Sequence, residues 1–316
     1  MGIALGSKSP SGIRLMVSRL RTRLKQYMRT GRNDPAWFAM FAFGRFVIFR
    51  NLSSRLRSRR WRRIINHNST FFPELSSDKI APSLRDEGVC FGINLPSDVI
   101  EQVLSFAEST VCFANSEKAR PISVSRGGIH TGTDGPVVIG DYHGQISNCR
   151  AIRKLCNDGV LIRIAEEYLE APPQLTRSRL WWSFIAPQAS QQEHHTFSQD
   201  AFHFDIDDWK CLKFFFYLTE VNEQSGPHRF IRHSHQRRKL RHQFTLFKGH
   251  SLQSLEKVYP QSDFLTITGP AGFGFAEDPF GFHTGTSVQA HPRLMLEIEY
   301  GVTRLPVAGR YAAPMA

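Results

Sequence analysis

Long apolar runs are missing from this chain of 316 residues. No segment of about 18 or more apolar residues occurs, so an integral helical membrane protein is not expected. Paired cysteines are missing as well. The five cysteines, Cys90, Cys112, Cys149, Cys156 and Cys211, are an odd number with no C-x-x-C pair, which argues against a disulfide framework or a zinc knuckle. Scattered cysteines with apolar flanks read as reduced core residues, and a reducing, cytoplasmic compartment is the expectation. Acidic residues are scarce at the start. Residues 1–66 hold 16 Lys/Arg and one acid, Asp34, whereas the rest of the chain carries 24 basic and 27 acidic side chains. The formal net charge of +12 therefore belongs to an arm and not to a nearly neutral body. With 41% hydrophobic and 22% charged residues, the body has the composition of a soluble enzyme or binding module large enough to bury a core.

The arm, residues 1–70, is basic and aromatic. Its first 33 residues contain no acid, and Leu15, Leu20 and Leu24 interleave with Arg14, Arg19 and Lys25, the composition of a basic amphipathic helix. A stretch of about 14 mostly apolar residues from Pro35 to Phe49, interrupted by Arg45, is too short to span a bilayer. It suits a helix lying at a membrane interface, with aromatic residues among headgroups and arginines on phosphates. Packing on the body, an oligomer contact or an organelle transit peptide are the competing readings.

From residue 76 to 305 the texture is that of a folded domain. Helices are predicted at 97–108, capped by Ser97 or Asp98, and at 160–170, stopped by Pro172-Pro173. Residues 120–148, rich in Gly, Ser and Asp, read as loop. A β core is predicted over 178–302, with strands at Leu180–Ile185, Lys213–Thr219, Phe264–Thr268 and Leu294–Tyr300. Such spacing suggests an antiparallel sandwich or barrel with the helices outside it.

One constellation carries chemistry. His203 and Asp205 sit two apart in an extended segment, so both side chains can converge on one ion; Asp207 shares that face, and spacing alone does not choose between the two carboxylates. His283 follows 80 residues later, and Arg293 ten residues after it. Two histidines and one carboxylate leave positions of an octahedral metal open, as a non-haem Fe(II) oxygenase requires. Arg293 could pair bidentately with the far carboxylate of a dicarboxylic cosubstrate, against the blander reading of a surface arginine. Strand alternation puts Arg293, Met295, Glu297 and Glu299 on one face, which leaves two glutamates without an explanation.

The text Phe202-His-Phe-Asp-Ile-Asp-Asp-Trp209, Leu212-Lys-Phe-Phe-Phe-Tyr-Leu-Thr-Glu-Val221, Ser225-Gly-Pro-His-Arg-Phe230, Ser234-His235 and Phe282-His-Thr-Gly-Thr286, followed by Arg293, resembles the phytanoyl-CoA dioxygenase-like branch of the Fe(II)/2-oxoglutarate oxygenases. The resemblance runs over roughly 82–300. It implies a mainly β fold with flanking helices around a double-stranded β-helix (jelly-roll, cupin-like) core. It also implies His203, Asp205 and His283 as iron ligands, Arg293 as the holder of the 2-oxoglutarate C5 carboxylate, and O2 as the oxidant. Tyr217 or Thr286 are candidates for a further cosubstrate contact, and no catalytic residue is implied beyond the ligands. Because Asp205 is retained where halogenases of this fold carry a small residue, the implied reaction is hydroxylation of an aliphatic C–H, with succinate and CO2 released.

The family's usual Gly-Ser-His after the Gly-Pro turn appears here as His233-Ser234-His235, amid Arg229, Arg232, Arg237, Arg238, Lys239 and Arg241. This loop reads as a solvated rim. His235 is a candidate structural hydrogen-bond donor near the site, while the remaining histidines, His228 among them, read as surface, loop or hydrogen-bonded residues. A small organic or lipid-like molecule is the expected substrate, with peripheral membrane contact through residues 1–66 as a candidate partnership; nucleic acid is not expected, since no base-reading module is present. The competing function is a non-catalytic, ligand- or metal-binding β-barrel tethered by its basic arm.

Overall fold

The computed structural model describes residues 31–58, 69, 71–75, 77–130, 134–197, 201–244 and 249–303. The expected basic helix before residue 31 lies outside the described residues, as do the arginines of 59–63. In chain order the strands are β1 (Val89–Phe91), β2 (Cys112–Ala114), β3 (Pro121–Ile122), β4 (Val124–Ser125), β5 (Gly128–Ile129), β6 (Ile139–Asp141), β7 (Gln174–Ser183), β8 (Cys211–Tyr217), β9 (His228–Ile231), β10 (Phe264–Ile267), β11 (Gly274–Glu277), β12 (His283–Thr284) and β13 (Arg293–Gly301). The helices used below are α1 (Pro35–Phe43), α2 (Val47–Ser58), α3 (Ser77–Asp86), α4 (Ser97–Ser109), α5 (Arg150–Cys156), α6 (Gly159–Leu169) and α7 (Gln191–Phe197).

The strands form an antiparallel sheet in the order β1-β11-β8-β13-β7-β6-β2-β3, a smaller one in the order β10-β9-β12 and the separate pair β4-β5. Period-two alternation divides the large sheet's side chains between two cores. Leu180, Trp182, Leu212, Phe214, Phe216, Leu294, Leu296, Ile298 and Tyr300 point to one face, where α4, α5 and α6 cover them. Each such buried aliphatic or aromatic side chain contributes about 1.5–3 kcal/mol. Trp181, Phe215, Tyr217 and Met295 point to the other face and pack with Phe230 and Ile267 of the small sheet. The two sheets thus enclose an interior between them, the arrangement of a jelly roll with helices outside. All five cysteines are free thiols, four of them buried, in agreement with a reduced core.

The helix α6 starts where Asp158 accepts from the Val160 and Leu161 N–H groups at 2.9 and 3.2 Å, and it ends at Glu170, whose φ of 55° is left-handed. Two expectations need correction. Pro96, and neither Ser97 nor Asp98, occupies the N-cap of α4, without a side-chain cap; its fixed φ of −62° suits the entry to a helix. Residues 120–148 are not simply loop, since β6 lies within them, wholly buried, and pairs with both β2 and β7. It is three residues long and contains Gly140, so no alternation was there to be read.

The described part of the arm is seated on the body. Asp34 caps α1 by accepting from the Trp37 N–H at 2.8 Å, and α2 turns Arg50 inward to pair with Asp278 at 3.3 Å. Among the described residues no helix is long and apolar enough to cross a membrane.

Candidate metal and cosubstrate site

A cavity of about 310 Å³ lies between the sheets, lined by His203, Asp205, Lys213, His228, His283 and Arg293 among others. His203 precedes β8 and His283 opens β12, yet the backbone joins them. The His203 N–H donates to the His283 carbonyl and the His283 N–H to the His203 carbonyl, both at 2.9 Å, and the rings stand 4.4 Å apart between centroids. Each imidazole is oriented by a carbonyl two residues earlier in its own chain. The Nδ1–H of His203 donates to Ala201 at 2.9 Å, and that of His283 to Gly281 at 3.0 Å. A carbonyl can only accept, so these bonds put the proton on Nδ1 and leave each Nε2 with a lone pair. Burial reinforces the neutral form, pushing His203 down to about 3 and His283 below its ordinary range. The Nε2 of His203 is buried with no hydrogen-bond partner.

Asp205 completes the group. Its backbone N–H donates to the Pro279 carbonyl at 2.8 Å, its Oδ2 lies 3.7 Å from His283 Nε2, and one ligand atom from each of His203, Asp205 and His283 falls within 4.8 Å of the others. Two bare imidazole nitrogens and a carboxylate oxygen facing one point form a donor set that suits a divalent first-row metal. Asp207 is not in this group; its Oδ2 is 3.4 Å from Lys213 Nζ.

The register of β13 accounts for the two glutamates. Glu299 lies between Arg177 of β7 and Lys213 of β8, and Glu297 lies opposite Arg179. Glu297 accepts from Arg177 Nε at 2.6 Å; Lys213 Nζ reaches Asp205 at 2.6 Å, Glu299 at 3.4 Å and Glu297 at 3.9 Å. Cross-strand opposite charges are favourable neighbours, and burial makes each of these pairings matter. For Glu297, burial raises the carboxyl, but Arg177 and Lys213 together hold it below the usual carboxylate range.

Arg293 is buried at the end of the same strand face. It donates to the Gly226 carbonyl and, at 3.2 Å, to Ser183 Oγ, while its Nε has no partner. Among the described residues no carboxylate lies within ion-pair distance of it. Burial lowers its pKa, opposed only by Tyr217. A buried guanidinium without a counter-charge is costly unless an anion joins it.

Tyr217 and Thr286 do not line the cavity; their hydroxyls donate to the Ile267 and Pro227 carbonyls at 2.8 and 2.7 Å. His235 is buried but outside the cavity, its Nε2 3.2 Å from the Arg85 carbonyl. The basic loop is only partly a solvated rim. Arg237, Lys239 and Arg241 are exposed, whereas Arg238 is buried with its guanidinium 3.9 Å above both the Phe204 and Phe280 rings. Planar cations stack on aromatic faces, and charge runs in sequence do not reveal which member does so.

Residue patterns missed three members of the site. Lys213 and Arg177 sit in strands whose charged face only the sheet register reveals. His228 is buried, lines the cavity, stacks on His283 at 5.6 Å and hydrogen-bonds Glu277 Oε2 at 2.9 Å. The signal available for it was the alternation of His228 and Phe230 after the Gly226-Pro227 turn, in a strand of only four residues.

The family model described as phytanoyl-CoA dioxygenase (PhyH) matches residues 94–272. No curated protein matches the chain. Among solved structures, the epimerase SnoN in complex with Fe3+, alpha ketoglutarate and nogalamycin RO is similar at 16% identity and a TM-score of 0.50, over 76% of this chain and 95% of that one. EctD from S. alaskensis, with 2-oxoglutarate and 5-hydroxyectoine, is similar at 15% identity and a TM-score of 0.50, over 81% of this chain and 95% of that one. At such identities the likeness is one of fold, the cupin-like jelly roll. The family match spans more than half of the chain, which belongs to the phytanoyl-CoA dioxygenase family and is an Fe(II)- and 2-oxoglutarate-dependent oxidoreductase.

Proposed function

We propose that residues 76–305 form a dioxygenase domain that hydroxylates an aliphatic C–H of a small organic or lipid-like substrate, with residues 1–70 as its arm. His203, Asp205 and His283 hold Fe(II), and Arg293 pairs with the C5 carboxylate of 2-oxoglutarate. The observation that carries this reading is the pair of imidazoles whose Nδ1–H groups are spent on backbone carbonyls while the unpartnered Nε2 of His203 and that of His283 face Asp205. When bound, iron with 2-oxoglutarate and O2 supplies the oxidising equivalents for oxygen insertion, and 2-oxoglutarate leaves as succinate and CO2.

The chain's own residues orient and shield. Lys213 holds the Asp205 carboxylate in place and the His203–His283 bridge fixes the spacing of the imidazoles, so the donor set is arranged before metal arrives. Arg293, without a carboxylate of its own, orients a dicarboxylate end to end. Ile139, Trp181, Phe197, Phe215 and Met295 line the cavity with apolar surface and exclude water around a substrate chain. Of these, Ile139 and Phe197 come from 120–148 and 186–200, segments whose variation would select the substrate. The arm is read as the part that makes peripheral contact with an anionic membrane surface.

Anaerobic titration of the purified protein with Fe(II) and 2-oxoglutarate tests the assignment. A weak visible metal-to-ligand charge-transfer band is expected for the wild type, absent in His203→Ala and Asp205→Ala and weakened in Arg293→Ala. A band of unchanged strength in the two ligand variants would remove them from the donor set.

A further inference from the structure

The helix α2 turns an aliphatic stripe away from the body that it packs on. Of its three arginines, Arg55 is exposed and Arg50 faces inward at 6% exposure, pairing with Asp278 at 3.3 Å and stacking on the Phe280 ring at 3.9 Å. Its aliphatic residues Ile48, Leu52 and Leu56 face outward at 72%, 51% and 55% exposure. Spaced by four, they form one stripe along the helix. Inward-facing Val47 packs on the Phe202, Phe204, Phe280 and Phe282 cluster, so the helix is anchored and the orientation of its stripe is set by the body.

The stripe continues into a larger patch. Phe49 contacts Phe43 at 5.2 Å and Phe46 at 6.0 Å, and Phe46 contacts Phe244 at 5.0 Å. Phe43, Phe49 and Phe244 are themselves exposed, at 47%, 40% and 64%. A contiguous exposed apolar surface of this kind on a soluble fold marks an interaction site. Exposed Arg55 lies beside the stripe, and Asp34, the one acid in residues 1–66, is spent on capping α1.

We propose that this face of α2 is a docking surface for an anionic lipid membrane. The proposal rests on the reading of the arm as a membrane-contacting segment and gives that contact a specific face. Ile48, Leu52, Leu56 and Phe49 enter the acyl boundary, and the arginines of the arm pair with lipid phosphate and carboxylate groups. Charge decides against a second copy of the chain as the occupant, because two arms carrying 16 basic residues and one acid each would be brought face to face. A nucleic acid would satisfy the arginines and leave the aliphatic stripe in water. Since α2 is seated beneath the segment that carries His203 and Asp205, docking would place the oxygenase domain at the bilayer surface, where apolar substrates partition.

The test is co-sedimentation of the full-length protein with phosphatidylcholine vesicles, with and without phosphatidylserine. The wild type is expected to bind the phosphatidylserine vesicles, more weakly at high salt, and to stay in solution with phosphatidylcholine alone. The triple variant Ile48→Ser, Leu52→Ser, Leu56→Ser should partition at least about tenfold less. It should keep the wild-type turnover of 2-oxoglutarate in solution, and Phe91→Ser, at an exposed apolar residue elsewhere, should bind vesicles as the wild type does. If the wild type ignores anionic vesicles, the membrane reading of the arm falls together with this proposal. If the wild type binds and the triple variant binds equally, the arm reading survives and the face is wrong. Concentration-dependent self-association that the triple variant abolishes, without vesicle binding, would assign the face to a second copy and overturn the proposal.

Discussion

His203 and His283, 80 residues apart in sequence, exchange both backbone hydrogen bonds at 2.9 Å and so stand as direct partners across an antiparallel bridge. Such a pair fixes the separation of two side chains, because the bridge adds His203 to the edge of the small sheet beside β12, whose other side is held by β9. The imidazoles cannot drift apart without breaking main-chain pairing. The spacing of the two imidazoles is therefore a property of the barrel, and the further hydrogen bonds to Ala201 and Gly281 set only the ring rotation.

Arg293 should govern cosubstrate affinity. Arg293→Ala removes the one cation in the cavity that has no acid partner among the described residues, and truncation of a buried charge pair costs about 2–5 kcal/mol. The dissociation constant for 2-oxoglutarate, read by isothermal calorimetry with the metal bound, should rise roughly 30-fold or more. Arg293→Lys should recover only part of it, since a point charge cannot donate in a planar fork. An unchanged constant in the alanine variant would give the C5 carboxylate another holder.

Lys213 should be a stability residue before it is anything else. Its ammonium is buried at 2.6 Å from Asp205 and within 3.4–3.9 Å of Asp207, Glu297 and Glu299. Lys213→Met removes the ammonium shared by all four carboxylates, of which Glu297 and Glu299 keep Arg177, and should destabilise the fold by about 3–5 kcal/mol. Urea denaturation checks it; a midpoint matching the wild type would mean that the carboxyls are protonated or hydrated in the native state.

Two buried arginines should behave oppositely. Arg50→Met removes the cation paired with Asp278, leaving it the Tyr168 hydroxyl at 2.6 Å and the Phe280 N–H at 2.9 Å, and should cost about 3–5 kcal/mol. Arg238 has no carboxylate in ion-pair range among the described residues, and its Nε and Nη1 lack partners, so burial lowers its pKa to about 9. Arg238→Met removes an uncompensated charge from a nest of aromatic rings and should be neutral or stabilising in a thermal melt. A large loss of Tm for Arg238→Met would show that the ring stacking outweighs the desolvation.

Acid should weaken the fold through histidines outside the candidate ligand set. Burial holds His235 and His242 below their ordinary range and His250 down to about 4 from 6.5. A group whose folded pKa is depressed leaves the unfolded chain binding more protons between the two values, so stability is full above about 6.5 and falls as pH drops toward 4. The urea midpoint should decline between pH 7 and pH 5, and His250→Phe, which keeps the ring against Phe282, should flatten that decline. A midpoint independent of pH in this window would mean that these rings titrate as they do in water.

Much of the fold was legible locally. Runs such as Leu212–Tyr217 and Leu294–Tyr300 alternate between two buried faces, and α6 carries its own cap in Asp158 and its stop before Pro172-Pro173. His203, Asp205, His283 and Arg293 could be named because the text around them resembles that of the family, whereas spacing alone offered Asp207 as readily as Asp205. Short-range pattern carried no such signal for β6 or β9, which have three and four residues and acquire their place only by pairing with longer strands.

By itself, then, the sequence determined the strand-rich core and the charge-segregated arm, because each depends on neighbours a few positions away, while the family resemblance singled out His203, Asp205, His283 and Arg293 as candidates. Only the tertiary structure decided that Asp205 and not Asp207 stands beside both imidazoles. It also decided that Lys213 and Arg177 neutralise Glu297 and Glu299, that His228 meets Glu277 inside the cavity, and that α2 turns Arg50 inward and its leucines out. Apart from His203 and Asp205, those relationships join residues between 49 and 228 positions apart, and which charge meets which is set by sheet register and helix docking, quantities that no local spacing encodes.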